Sequence, residues 1–399
     1  MTQSFESTPS TPTTDNAPPF QANGDPPALN ADPQRARRYA RAQNWFALAS
    51  VAQDLALSVG YISSGAARTV QAKLLPRHGR GTFRQRAQLL VAHSLARWAV
   101  TRPLSYLAGF RLEHRYGLGR QSHAAWASDQ VKGEAMSLPI EVLMIEGLWW
   151  TQRRFPQRWW LVCAGAIIPV SAAAAALVPV LILPRFNSYT PLEDQELAER
   201  LRDLAERAGI PVSDVLQMDM SRRTSKANAF FMGIGRTRRI VLADTLLANS
   251  SHAEIEGVVA HELGHQANGD IWRGVALAAG FTLVSAWLTD GIARRMLRRQ
   301  PHLLDTTDIA DPRALPLVTL VLSLVSLASG PLQQAYSRAV ERRTDQYAIA
   351  LTGNTEAFAS ALERLSDLNL SDPEPPRWVV WLLHSHPPLR ERVRHLRGE

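Results

Sequence analysis

Residues 251–270 read SHAEIEGVVAHELGHQANGD, and this stretch carries the signals of one helix. Ser251 and Glu254 have the spacing of a capping box, in which each side chain bonds the backbone N–H of the other residue. Apolar residues that follow at helical spacing supply a buried face. Gly269 ends the pattern, as glycine commonly does just past a helix. The sequence therefore predicts a helix from about Ser251 to Gly269.

Two histidines on this helix, His261 and His265, are four residues apart. Positions i and i+4 share one helix face, so both imidazoles can bind one metal ion while Glu262 faces a water molecule on that ion. Zinc lowers the pKa of such a water towards about 7, and a carboxylate can then take its proton during attack on a peptide carbonyl. The pattern predicts a zinc hydrolase, although H-E-x-x-H is short enough to occur by chance.

The alternative is a helix whose histidines lie in an ordinary core. The helix is otherwise mainly Ala, Val, Gly and Leu, and buried polar side chains without partners would be costly there, which favours the metal site. The single cysteine, Cys163, excludes an intramolecular disulfide and a zinc site of several thiolates. A metal would therefore be held by histidines and carboxylates.

A third protein ligand is expected, because hydrolytic zinc sites usually have three and keep one position open for water. Glu341 is the candidate, with His384 and His386 as its rivals. Glu341 and Asp345 also have i, i+4 spacing, so Asp345 could accept the free N–H of a ligand histidine. The alternative is a salt-bridged surface helix, and the spacing alone does not choose between the two.

His386 precedes a pair of prolines, Pro387 and Pro388, that favour the start of a last helix. A histidine at that position could donate a hydrogen bond to the oxyanion of a tetrahedral intermediate. An ordinary loop histidine is the alternative, and the sequence does not separate these two interpretations.

Six apolar segments predict an integral-membrane protein, since about 20 mostly apolar residues span the hydrocarbon core. The segments are Trp45–Ile62, Ala87–Val100, Ala135–Trp150, Trp159–Pro184, Val275–Leu288 and Leu315–Leu332. The first three contain charged residues such as Asp54, Glu141 and Glu146, so amphipathic helices of a soluble bundle are the alternative. Polar groups at membrane depth normally face a bundle interior or a water-filled cavity.

The formal net charge of +8 comes mainly from arginine, and the basic residues lie beside apolar runs. This placement favours the flanks of membrane segments over a nucleic-acid surface, so no nucleic-acid partner is predicted. Residues 1–34 are rich in Ser, Thr, Pro, Asn and Asp and predict a disordered tail without the pattern of a signal peptide.

The remaining domain boundaries follow the apolar segments. N-terminal membrane helices are predicted at 35–184, the first part of a catalytic domain at 185–273, a membrane hairpin at 274–332 and the second catalytic part at 333–399. Within the first catalytic part, Thr190-Pro191-Leu192-Glu193 predicts a capping box and Gly209 a helix end. Short strands are predicted at Val215–Met220, Ala227–Met232 and Arg239–Ala243.

Taken together, these features resemble the integral-membrane zinc endopeptidases that include the type 1 CaaX prenyl protease and the bacterial heat-shock membrane protease. The likeness runs from about Pro103 to Leu396. The motifs that carry it are Phe186–Asp194, Asn228–Phe231, Arg239–Leu242, the histidine helix, Glu341 with Asp345, and His386-Pro387-Pro388 with Arg392.

For the metal, the resemblance implies one zinc ion per chain, held by His261, His265 and Glu341. It implies Glu262 as the catalytic base and Asp345 as support for a ligand.

For the substrate, the resemblance implies that His386 and Arg392 lie beside a bound polypeptide. Asn228, Ala229 and Phe230 match an edge strand of the family, where an extended substrate could pair by strand addition.

The fold that the resemblance implies is mainly α: a multi-pass helical bundle around a hydrophilic chamber, with a small α+β zinc-peptidase domain inserted. Partners are the lipid bilayer and a polypeptide substrate, and the oligomeric state stays open. Basic residues flank the first segment on both sides, so charge does not choose an orientation. The family likeness puts the catalytic side in the cytoplasm, and in a bacterium the membrane would be the inner or plasma membrane.

Two departures from the family pattern leave the substrate open. Gln266–Asp270 resembles the heat-shock protease branch, whereas the upstream half resembles the prenyl protease branch, and Thr344 replaces a small Ala. Recognition of a prenyl group therefore does not follow. A catalytically silent scaffold or quality-control binding protein of the same fold is one alternative, and a peripherally attached soluble zinc hydrolase is another.

Overall fold

The structure is a computed structural model that describes residues 32–77, 79–233 and 235–399. The predicted disordered tail, residues 1–34, lies outside the described residues except for its last three. Those three already belong to a helix start, because the Asp32 carboxylate caps a helix that begins at Pro33.

The described part of the N-terminal half is helical and contains four long helices. Its elements are α1 (Pro33–Ser63), α2 (Ala66–Leu74), α3 (Phe83–Tyr106), α4 (Leu112–Arg115), α5 (His123–Arg154) and α6 (Trp159–Leu177). The four upstream apolar segments lie in α1, α3, α5 and α6, although α6 passes into a π-helical turn, Val178–Ile182, before the predicted end of its segment.

Acidic residues in these segments pair with neighbouring helices. The pairs are Asp54 with Arg97 at 3.0 Å, Glu141 with Ser94 at 2.6 Å and Glu146 with Arg86 at 2.6 Å. Interhelical pairing is how polar side chains at membrane depth are usually accommodated. The hydrophilic chamber itself stays a prediction.

Four strands form one small sheet in the order β1-β2-β4-β3. The strands are β1 (Tyr189–Pro191), β2 (Asp214–Met218), β3 (Ala229–Met232) and β4 (Arg239–Ala243). Only β2 and β4 are parallel, and the other two pairs are antiparallel. The three predicted strands are confirmed, β1 was not predicted, and β3 lies at an edge of the sheet.

The predicted capping box at Thr190–Glu193 is wrong. Thr190 pairs with Gln217 in the sheet, and helix α7 (Gln195–Arg207) begins only after Asp194. Asp194 is itself a strong N-cap, and its carboxylate accepts the backbone N–H of Leu197 at 2.9 Å, so it takes the role assigned to Thr190. The predicted end at Gly209 is confirmed, since this glycine has φ of +68° just past the helix.

The histidine helix lies at the centre of the soluble core. The short helix α8 (Asp244–Leu247) precedes it, and α9 (His252–Ala267) packs on α7, on β3 and on three later helices. The core residues around it are fully or almost fully buried. They include Leu197, Leu201, Leu204, Val241, Leu242, Val259, Leu263 and Phe358.

Two long helices connect this core to the membrane part. Helix α10 (Asp270–Arg299) starts directly after α9, and α11 (Leu315–Thr352) returns antiparallel to it and packs on both α9 and α10. By length and hydropathy, α1, α10 and the segment Pro312–Thr352 can each cross a membrane.

Both catalytic-domain boundaries at the predicted hairpin fall inside these helices, at 273/274 in α10 and 332/333 in α11. The described chain ends with α12 (Thr355–Leu368), α13 (Arg377–Leu383) and α14 (Leu389–Arg397). The predicted break at Gly353-Asn354 is confirmed, because Gly353 ends α11 with φ of +67° and Asn354 caps α12.

Candidate metal centre

The capping box at Ser251 starts α9 as predicted. The Glu254 carboxylate accepts the Ser251 backbone N–H at 2.8 Å, and the Ser251 hydroxyl accepts the Glu254 backbone N–H at 3.3 Å. Two turns further along the helix, His261 and His265 share a face, with their rings 5.0 Å apart. The local helix signals in the sequence therefore place both imidazoles.

Glu341 lies between the two histidines. Its Oε2 atom is 3.2 Å from Nε2 of His261, and its Oε1 atom is 3.5 Å from Nε2 of His265. One donor atom from each of the three residues lies within 4.8 Å of the others. Glu341 is 5% exposed, so the salt-bridged surface helix considered for this segment is wrong.

Close packing of α11 on α9 brings Glu341 to this position. A Cβ atom built on Gly264 would lie 2.9 Å from Cγ2 of Thr344 and 3.0 Å from Cδ1 of Tyr347. The missing side chain at Gly264 thus gives α11 room to approach, and it accommodates the side chains of Thr344 and Tyr347.

Each histidine faces a second carboxylate with its other nitrogen. Nδ1 of His261 lies 3.0 Å from Oδ1 of Asp345, a close ion-pair contact that is not aligned as a hydrogen bond. Nδ1 of His265 lies 3.1 Å from Oδ2 of Asp270. A carboxylate at this position orients a ligand imidazole and raises its basicity.

Asp270 was not assigned a site role from the sequence, although it ends the stretch quoted first. It follows the helix-ending Gly269, and the turn there aims its side chain back at His265. The sequence signal that could have identified Asp270 is its position as a carboxylate five residues after the second histidine. Arg343 holds the other oxygen of Asp270.

Burial and neighbouring charges shift the pKa values of several site residues, among them His261 and Glu262. Burial lowers the pKa of His261, but the carboxylates of Asp345 and Glu341 outweigh it and raise the pKa to about 9. Burial raises the pKa of Glu262, and the adjacent histidines partly oppose that increase. An imidazole with raised basicity is a strong metal ligand. Protons and a metal ion compete for its nitrogen.

The remaining predicted site residues lie around this cluster. Nε2 of His386 is 3.3 Å from Oε2 of Glu341, and its side chain is 57% exposed. Arg392 binds the Asp345 carboxylate through two nitrogens at 2.8 and 2.6 Å, so its guanidinium is engaged behind His261. His384 does not contact the cluster; its backbone carbonyl accepts a hydrogen bond from Arg338.

The predicted substrate strand is β3, at the edge of the sheet beside α9. The N–H of Ala243 donates to the carbonyl of Asn228 at 3.0 Å. Hydrogen-bonded residues alternate along an antiparallel pair, so Asn228 and Phe230 face β4 with their backbone groups. The backbone groups of Ala229 and Phe231 therefore point to the free edge.

The residues present fit a divalent metal ion. Two imidazoles and one carboxylate are a donor set typical of hydrolytic zinc sites. Oε2 of Glu341 is buried and accepts no aligned hydrogen bond from any described residue. Such an atom is costly unless a cation or proton compensates it.

Comparisons with known proteins agree with this geometry. The model of peptidase family M48 matches residues 191–399, more than half of the chain, and the CAAX prenyl protease N-terminal model, described as five membrane helices, matches residues 27–188. The chain belongs to peptidase family M48.

Three M48 relatives illustrate the match. An uncharacterized metalloprotease, YhfN, of Bacillus subtilis is 32% identical over 91% of this chain and 85% of its own length. CAAX prenyl protease 1 of Saccharomyces cerevisiae is 31% identical over 73% of this chain and 67% of its own. The crystal structure of S. mikatae Ste24p superposes with a TM-score of 0.81 at 28% identity, covering 93% of this chain and 91% of that one.

Membership in M48 makes the chain a multi-pass integral-membrane metalloendopeptidase that acts on polypeptides. The alternative of a peripherally attached soluble hydrolase is therefore wrong, and the relatives give no support to a silent scaffold. The CAAX prenyl protease N-terminal family is described as having five membrane helices, whereas hydropathy predicted four apolar segments in the same region of this chain. The short, polar α2 lies in that region, and the number of spans stays a prediction.

Proposed function

We propose that this M48 chain binds one zinc ion through His261, His265 and Glu341 and hydrolyses peptide bonds of membrane-associated or extended polypeptides. The observation that carries the proposal is the approach of three donor atoms to within 4.8 Å of one another around the buried Oε2 of Glu341. The set leaves room for a water ligand, as hydrolytic zinc requires.

Each residue of the site then has a role in hydrolysis. When bound, zinc supplies a Lewis acid that lowers the pKa of water to about 7. Glu262 takes the proton of the attacking water, and its raised pKa brings it closer to the working pH of a general base. His386 donates a hydrogen bond to the oxyanion of the substrate carbonyl.

Two residues act through the ligands. Asp345 faces the outer nitrogen of His261, and Arg392 fixes the Asp345 carboxylate with two hydrogen bonds. Arg392 is therefore proposed as a positioning residue, although it also lines a cavity beside the site. Asp270 has the corresponding place behind His265.

The substrate backbone pairs with the free edge of β3. Of the segment Asn228-Ala229-Phe230, Ala229 offers its N–H and carbonyl to the substrate, and Phe231 continues the register. Asn228, which is exposed, lies at the end of this edge. A main-chain contact of this kind binds extended chains of varied sequence.

The catalytic side is proposed to face the cytoplasm, as the family likeness implies; in a bacterial cell the membrane would be the plasma membrane. The unit boundaries 35–184, 185–273, 274–332 and 333–399 are kept as a functional division, although α10 and α11 run through two of them. A cysteine-labelling test on sealed vesicles, with a single cysteine placed in α14, would report the side directly.

The experiment that tests the function compares Glu262→Gln with wild-type protein in detergent. Elemental analysis of protein purified without chelator should give one zinc per chain in both. Cleavage of an extended model peptide should fall by about 100- to 10,000-fold in Glu262→Gln, because this is the range of general-base contributions. Wild-type cleavage by Glu262→Gln, or wild-type protein without zinc, would overturn the proposal. Glu256→Gln is the matched control, because it makes the same change on α9 at a residue that pairs with Arg200 of α7 and lies outside the metal cluster.

A further inference from the structure

A cavity of about 490 Å³ lies beside the metal centre. His386 and Arg392, which contact Glu341 and Asp345 of the metal cluster, form part of its wall, so it adjoins the site. Residues Gln43 and Asn44 of α1 and the segment after α12 close the other sides. Its volume is in the range of cavities that hold a ligand group.

Asp372 supplies a negative charge to this cavity, and its partners among the described residues all contact the one oxygen Oδ1. Its side chain is 11% exposed, and Oδ1 accepts the backbone N–H of Glu374 at 3.0 Å. The guanidinium of Arg37, which is 47% exposed, forms an ion-pair contact with the same oxygen at 3.9 Å, beyond hydrogen-bond reach. No described residue donates a hydrogen bond to Oδ2 of Asp372. The carboxylate therefore retains an acceptor for a ligand.

The cavity has no free cation to match a negative group. Arg392 is the only arginine or lysine among the described residues that line it, and Asp345 engages it through two hydrogen bonds. Burial lowers the pKa of His384, which opposes a positive charge there, although Asp372 acts in the other direction. A substrate carboxylate would find no free arginine or lysine among the described residues of this cavity and would lie near the charge of Asp372.

An apolar group is also a poor occupant. A prenyl chain would cover Asp372 and the amide of Asn44, for which no described residue provides a hydrogen bond. Covering a carboxylate oxygen that has no hydrogen bond with an apolar chain is costly. A group with a positive charge and several N–H donors would instead pair with Asp372 and bond Asn44.

We propose that this cavity is a specificity subsite that binds a lysine or arginine side chain of the polypeptide substrate, with Asp372 as its charge partner. The inference rests on the proposed peptidase function. It places the basic residue of the substrate on the side of the scissile bond that lies near His386. A prenylated cysteine is not required by this subsite.

The first arm of the test uses wild-type protein in detergent with fluorogenic peptides. One parent peptide, neutral throughout, is varied at each position on both sides of the scissile bond with Lys, Arg, Gln, Leu or Glu. At one position Lys and Arg should raise kcat/KM about tenfold or more over Gln, with Glu the poorest, because a charge-assisted hydrogen bond contributes at least that much. No preference for Lys or Arg at any position, or a preference for Leu, would overturn the subsite.

The second arm tests Asp372 itself. Asp372→Asn should lose the preference for Lys and Arg, measured as the ratio of kcat/KM between the Lys and Gln peptides, and Asp372→Lys should prefer Glu at that position. Glu374→Gln is the matched control, since Glu374 also neighbours Arg37 at 3.6 Å but does not line the cavity. Unchanged selectivity in Asp372→Asn with normal zinc content would overturn the assignment.

Different results would overturn the peptidase function and the basic subsite. If wild-type protein cleaves no peptide faster than Glu262→Gln does, the peptidase function fails. If the neutral parent peptide is cleaved with zinc dependence and without a basic preference, only the subsite fails.

Discussion

A Cβ atom built on Gly264 would lie 2.9 Å from Cγ2 of Thr344, closer than side chains normally pack. Gly264 lies on the histidine helix, and Thr344 is fully buried on the helix that carries Glu341. The approach of these two residues sets the distance between α9 and α11. Because the three proposed ligands are divided between these helices, the same contact sets the geometry of the metal site.

Gly264→Ala should therefore impair the site although alanine favours helix formation. The added methyl meets Thr344, whose β-branched side chain has few other rotamers in a helix, so the helices must move apart. We expect peptidase activity to fall by about 100-fold, since a displacement near 1 Å can have that effect. Activity and zinc content of the purified variant give the measurement.

Two further variants make this result specific. Gly264→Ala combined with Thr344→Ser removes the opposing methyl group and should restore part of the activity. Gly274→Ala, on α10 with no atom near its Cβ, should be close to wild type. Equal losses in both single glycine variants would contradict the packing argument.

Asp270→Asn should weaken zinc binding without removing a ligand. Asp270 lies 3.1 Å from Nδ1 of His265 and is held by Arg343, so it orients the imidazole. Outer partners of this kind typically change metal affinity by about 10- to 100-fold. Competition with a chelator of known affinity measures the change, with the exposed Asp203→Asn as control. An unchanged zinc affinity would show that Asp270 only anchors the start of α10.

Much of the metal site was predictable because its signals are local. The capping box at Ser251, the i, i+4 histidines and the i, i+4 pair of Glu341 and Asp345 are short-range patterns. The structure brings all of them together. The histidine motif itself predicted Glu262 as the base, whereas resemblance supported the choice of Glu341 over its rivals, and both roles stay proposals.

The misses are cases where a distant partner decided the outcome. Thr190 has the residue type and spacing of an N-cap, but pairing with Gln217 takes its backbone into the sheet. Asp270 follows a glycine that looked like a helix end, and only the fold shows that its side chain turns back to His265. Capping and helix-end patterns depend on neighbouring residues only and do not include such long-range partners.

Glu254 provides a pH test of the core. Burial raises its pKa, but hydrogen bonds from Ser360, the Ser251 backbone N–H and Arg364 outweigh this, so the net pKa lies below its usual value. A carboxylate with a depressed pKa stabilises the fold above its unfolded pKa of about 4.3, and this contribution is lost as pH falls through the folded value.

Glu254→Gln should therefore lower the free energy of unfolding by about 1.5–3 kcal/mol at neutral pH, since it removes the charge-assisted hydrogen bonds between Arg364 and the Glu254 carboxylate. The difference between wild type and variant should stay constant above about pH 5 and shrink below it. Unfolding in detergent at a series of pH values measures both curves. The exposed Glu356→Gln is the control, and a difference that grows towards acid pH would contradict the argument.

The last prediction separates Glu341 from His386 as the third ligand. Glu341 is buried on a rigid helix, and its two oxygens face the Nε2 atoms of both histidines of α9. His386 lies in the loop before Pro387, more than half exposed, and its Nε2 atom reaches only Oε2 of Glu341, at 3.3 Å. A ligand on a helix is held more precisely than one on a loop.

Glu341→Gln should therefore lose most of its zinc. His386→Ala should keep zinc and lower kcat by about 100-fold, as removal of an oxyanion donor does. Zinc stoichiometry and peptidase kinetics on both variants decide the matter, and an empty site in His386→Ala beside a metallated Glu341→Gln would reverse the two roles.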